Sequence, residues 1–183
     1  MTAALAVLAS LAVAAGPPGD DVRALVGRCF EAYGGKRALD KAAVFRQQGT
    51  VTSLVLHPGE KGRIVRIYQR AGWSNGLGGL RVEIAYPSGG REVRILDGVS
   101  HGWRDGEEVS GPRLAAMILQ AARLDLPRLL SSRHPNPADM GTLDLGGKTL
   151  RVLALELAPG LVVEAAIDPA TGRILRSRSA SKD

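Results

Sequence analysis

Catalysis or metal binding in this chain would have to be built from three histidines, one cysteine and one adjacent carboxylate pair. His57, His101 and His134 are far apart in sequence and have no partner at metal-ligand spacing; each falls in an expected turn or loop, where a histidine is usually solvated. Glu107-Glu108 sits in an expected exposed turn, whereas a catalytic carboxylate pair normally comes from separate elements. Cys29 is the sole cysteine, so no internal disulfide forms; it reads as a small apolar core residue, with a reactive thiol as the alternative. The run Asn75-Gly76-Leu77-Gly78-Gly79 lacks the following helix that a phosphate-binding loop needs, and so reads as a hairpin tip. Neither a nucleophile elbow nor a paired-cysteine metal site is present in the sequence. These residues predict a non-enzymatic protein without a cofactor or a metal.

The remaining candidates are apolar. Trp73 and Trp103 are expected at strand ends beside glycine, where an indole either lines a cavity rim or packs at a sheet edge. Leu114, Met117 and Ile118 recur at helical spacing, the pattern of a core stripe or a cavity wall.

These residues need elements to hold them. Residues 3 to 15 are apolar and uncharged, the length of a signal-peptide h-region and short of the roughly 20 residues that span a bilayer. Residues 1–15 therefore read as a signal peptide and 16–19, Gly-Pro-Pro-Gly, as a spacer, leaving 20–183 as one domain. The net charge of +6 comes mostly from scattered arginines. With seven aromatic residues and no basic block, nucleic acid is a poor partner; an anionic membrane surface suits the charge better.

After an Asp20 or Asp21 cap, Val22, Leu25, Val26, Cys29, Phe30 and Tyr33 form one helical stripe, which Gly34-Gly35 ends. From Val44 the apolar period changes to 2. Leu80, Val82, Ile84 and Tyr86 alternate with charged neighbours, as do Val93 and Ile95, then Leu153 to Leu157 and Leu161 to Ile167. Tyr86-Pro87-Ser88-Gly89-Gly90 and Asp168-Pro169-Ala170-Thr171-Gly172 predict tight hairpins, and four further Gly-bearing reversals complete a meander. Ser110-Gly111-Pro112 and Asp125-Leu126-Pro127 open two helices inside it. The fold class is therefore α+β: a strongly curved antiparallel sheet, an incomplete barrel, with an N-terminal helix and two mid-chain helices covering its concave face.

The order of these elements, with Ala32-Tyr33-Gly34-Gly35-Lys36-Arg37-Ala38-Leu39, Gln47-Gln48-Gly49-Thr50, Arg91 to Gly98, Gly102-Trp103-Arg104 and Ile167-Asp168-Pro169-Ala170-Thr171-Gly172-Arg173-Ile174, resembles the LolA/LolB-like superfamily of bacterial outer-membrane lipoprotein-sorting proteins. The resemblance implies a periplasmic protein with an apolar cavity between sheet and helices that shields the acyl chains of a lipid or an acylated lipoprotein. An acyl chain of roughly 14 methylenes resists leaving a membrane by about 11 kcal/mol, and only an apolar container offsets that. On this reading the cavity lining or rim comprises Phe30, Tyr33, Trp73, Val82, Ile84, Val93, Ile95, Trp103, Leu114, Met117 and Ile118, with arginines at the rim meeting head groups. The alternative is an envelope protein-binding or sensor module that uses the same sheet around a filled core.

Overall fold

The protein is described by a computed structural model over residues 20–54, 57–71, 76–132 and 136–181. The leader and spacer, Trp73 and His134 lie outside the described residues.

Helix α1 (Asp20–Ala32) buries Val22, Leu25 and Cys29, the inner part of its predicted stripe. Gly34 (φ 91°) and Gly35 (φ 63°) turn the chain into a second short helix, α2 (Gly35–Lys41). Both glycines take the left-handed conformation that side chains with a Cβ rarely adopt. Strands β1 (Val44–Thr52), β2 (Lys61–Gln69), β3 (Gly79–Ala85), β4 (Arg91–Asp97), β5 (His101–Arg104) and β6 (Glu107–Val109) then pair in chain order as one antiparallel sheet. The β3–β4 hairpin closes as expected, with Tyr86 N–H donating to the Gly90 carbonyl at 2.8 Å.

Helices α3 (Gly111–Leu124) and α4 (Leu126–Ser131) follow, each with proline in its first turn, where a missing N–H costs nothing. Strands β7 (Ala138–Leu145), β8 (Lys148–Ala158), β9 (Leu161–Ile167) and β10 (Ile174–Ser181) form a second antiparallel sheet in the order β10-β9-β8-β7. The α+β class and the curved sheet hold. The single meander does not: the α3–α4 insertion divides it into a six-stranded and a four-stranded sheet, and neither closes into a barrel.

Between these layers lies one apolar core. α1 packs on α4, and α3 packs on β5, β9 and β10. Tyr68, Val82, Leu96, Leu129, Leu153, Leu155, Val163 and Ile167 are at most 2% exposed within it. Two glycines set close approaches. A Cβ on Gly102 would run into Leu114 and Met117 of α3, and one on Gly172 would strike the α1 backbone at Arg28 and Cys29.

Candidate functional site

The proposed cavity residues separate into three places. Val82 (1% exposed), Ile84 (3%), Met117 (6%) and Ile118 (3%) lie in the packed core, with Leu114 half-buried against it. Phe30 is half-buried on α1. Tyr33 is exposed, and its hydroxyl accepts the Ile174 N–H at 3.3 Å, tying the end of α1 to β10.

Val93, Ile95 and Trp103 lie on the other face of the six-stranded sheet, a correction to the expected cavity. On β4 the buried residues are Glu92 and Leu96, while Val93 is half-buried and Ile95 exposed. Alternation gives the two faces but not which of them is inner. Here the inner one carries charge, because Glu92 is neutralised locally. Its Oε1 accepts from Arg94 Nε at 2.5 Å and from Arg104 Nε at 3.1 Å. A buried carboxylate is tolerated when it is paired in this way.

The outer face therefore presents a continuous cross-strand row, Arg46–Ile67–Arg81–Ile95–Trp103–Glu108, in which two arginines alternate with two isoleucines before Trp103 and an acidic end. Ile67 and Ile95 are more than a third exposed. Beside this row Glu83 accepts from Arg81 at 2.7 Å and lies 3.7 Å from Arg91; the Arg81 bond, opposed by desolvation, holds the Glu83 carboxyl below its ordinary value. His101 stacks on Trp103, with centroids 6.1 Å apart, and its Nδ1 lies 3.2 Å from Glu108. Contrary to expectation, His101 and the Glu107-Glu108 pair are strand residues. His57 does lie in a turn, half-buried and stacked on Tyr86 at 4.4 Å. Among the described residues no group of His, Cys, Asp or Glu forms a metal cluster. Cys29 is fully buried, and desolvation pushes its thiol up to about 11.

A buried ionic network was not anticipated. Asp125 and Arg128 are each 1% exposed. Asp125 accepts from Arg70 Nε at 2.7 Å and from Arg128 Nε at 2.5 Å. Arg70 also donates to the Leu39 and Ala42 carbonyls, and Arg128 to that of Gly76. Tyr68 O–H points to Asp125 at 3.4 Å and accepts from Gly78 N–H at 3.1 Å; burial, then the Asp125 charge, pushes its phenol up to about 12. The network joins α2, the end of β2, the β2–β3 loop and the α3–α4 junction. Its one sequence signal is an arginine set among Leu126, Leu129 and Leu130, and that signal does not name its partner.

A groove of about 360 Å³ runs between the helices and β10. Leu39, Leu124, Leu126 and Leu175 supply apolar surface, and Arg70, Arg123 and Arg176 supply charge. Among the described cavity residues expected from sequence, only Tyr33 lines it.

Fold and surface together define an α+β protein of two antiparallel sheets, with one packed apolar core and a face outside it that mixes apolar and charged side chains. No protein-family model matches the chain, and no curated protein matches it in sequence. Similar solved structures include MucB in complex with MucA(peri), at 17% identity and a TM-score of 0.31; the match covers 88% of this chain and 50% of the MucB chain. This chain thus spans half the length of that protein. A DUF1089 family protein from Pseudomonas aeruginosa is 10% identical at a TM-score of 0.30, covering 77% of this chain and 84% of the other. Likeness at this level defines neither a family nor an activity.

Proposed function

We propose that this protein is a non-enzymatic binding module of the bacterial envelope, a LolA/LolB-like protein exported to the periplasm, that holds protein partners on its outer surface around a filled interior. The observation that carries this reading is the placement of the expected cavity wall. Val82, Ile84, Met117 and Ile118 are closed into one packed core, while Ile67, Ile95 and Trp103 stand outside among arginines. A carrier needs apolar surface that is empty until cargo arrives, whereas a protein-binding module needs it on the outside. In-cell photo-crosslinking tests this. A photoreactive residue in place of Ile95 is expected to give discrete protein adducts in the envelope fraction. Adducts to lipid alone would overturn the reading.

One observation favours a second reading, lipid binding. The groove between the helices and β10 is lined by leucines and by Arg70, Arg123 and Arg176, and its volume of about 360 Å³ falls at the low end of the roughly 300–1,000 Å³ of small-molecule sites. Binding of a fluorescent fatty-acid probe that is lost in Leu175→Arg, a groove residue 44% exposed, would support that reading.

A further inference from the structure

Four strands bound the two sheets: β1 and β6 in one, β7 and β10 in the other. An exposed edge is a template for a further strand, and proteins blunt edges by shortness, bulges, proline or lysine. β6 has three residues. β7 shifts register between Asp139 and Thr142, and β10 between Ile174 and Arg176. Among the described residues, β1 has one charged side chain, Arg46, and otherwise none of these devices: its nine residues, without proline or lysine, pair with β2 in unbroken register.

The unpaired groups of this edge follow from the pairing. The Ala43 carbonyl accepts from Arg70 N–H at 2.8 Å, and Ser53 N–H donates to the Glu60 carbonyl at 3.0 Å. Both contacts continue the register of β1 on β2. In an antiparallel pair the residues bonded to a given neighbour alternate. Odd-numbered residues of β1 therefore bond to β2. Val44, Arg46, Gln48, Thr50 and Thr52 turn their N–H and C=O groups to the side that no strand among the described residues pairs with.

Charge selects the occupant. β1 and β2 carry no carboxylate, and Arg46, Lys61 and Arg63 share the outer face. A second copy of this chain, at +6, would bring more cations to the edge. We propose that the β1 edge takes up an extended acidic segment of a partner protein, which adds a strand to the six-stranded sheet. The main chain of Arg46, Gln48 and Thr50 supplies the new ladder. Carboxylates on one side of the incoming strand lie beside Arg46 and Arg63, and apolar side chains on the other lie beside the half-buried Phe45 and Val51. This rests on the protein-binding reading above and names its class of partner.

A short fluorescent peptide alternating valine and aspartate serves as the probe, titrated by anisotropy into the purified full chain. Saturable, salt-weakened binding is expected, with the valine–lysine counterpart much weaker. Gln48→Pro removes an N–H that faces the open side, a position where a strand tolerates proline. It is expected to keep the wild-type unfolding midpoint and to weaken binding about tenfold or more. The same peptide N-methylated at alternate residues tests the ladder without any variant and is expected not to bind. Equal binding by Gln48→Pro, by the N-methylated peptide or by the lysine peptide overturns the proposal. Self-association abolished by Gln48→Pro also overturns it, because the occupant is then a second copy. A lipid on the purified protein would defeat the protein-binding reading instead, so the two failures are separable.

Discussion

Arg70 Nε donates to Asp125 Oδ1 at 2.7 Å, joining the residue that follows β2 to the junction between α3 and α4. The two residues are 55 positions apart. Arg128 holds the other oxygen, so one buried carboxylate fixes where the inserted helices sit on the sheet. Removing it strands two guanidinium groups, one of them fully buried. Asp125→Ala is expected to cost about 3–5 kcal/mol in urea unfolding. A loss under about 1 kcal/mol would show that the network does not hold the helices.

The reading with a filled interior makes a prediction that a cavity would reverse. Ile118 is 3% exposed, so Ile118→Ala should cost about 2–5 kcal/mol; on that reading Ile118→Trp should also destabilise, by about 1–3 kcal/mol, by overpacking. Thermal unfolding of both variants checks this. A tolerated tryptophan would mean that the interior has room.

Burial holds the Cys29 thiol up to about 11, so little thiolate exists near neutrality and solvent does not reach the sulfur. A thiol-specific disulfide reagent should leave the native protein unlabelled at about pH 8 and label it fully in denaturant. Rapid stoichiometric labelling of the native chain would contradict the placement of α1.

Acid sensitivity has a defined sign at Asp168. Ala170 N–H donates to its Oδ1 at 2.9 Å; that bond comes first, desolvation opposes it, and Thr171 and Lys148 add to it, leaving the carboxyl below its ordinary value. A depressed folded-state pKa contributes stability above the ordinary aspartate value, about 4, that is lost as pH falls through the lower folded value. Asp168→Asn should therefore lower Tm at neutral pH and flatten its decline in acid, the two proteins converging below that range. Parallel Tm–pH curves would remove Asp168 from the acid response.

Much of the local structure was legible because it depends on neighbours in sequence. The α1 stripe, the Gly34-Gly35 stop, the proline-led helices and the Pro-Gly hairpins all appear where the residues require them. The face of β4 was not legible. Val93 and Ile95 look like an inner pair, but the strand turns Glu92 inward, where Arg94 two residues on and Arg104 on the next strand neutralise it. Asp125 read as a helix opener, since Arg70 is distant in sequence. The division into two sheets was hidden as well: β7 to β10 pair in chain order like the strands before them, and no strand's own pattern says that they start a second sheet after the helical insertion.

The most direct measurement of the central claim is the lipid content of the protein as purified from a bacterial envelope. Organic extraction and mass spectrometry are expected to find no acyl lipid near one per molecule, because the core of Val82, Ile84, Met117 and Ile118 is already occupied by its own side chains. One tightly held acyl lipid per chain, bound without loss of fold, would contradict it.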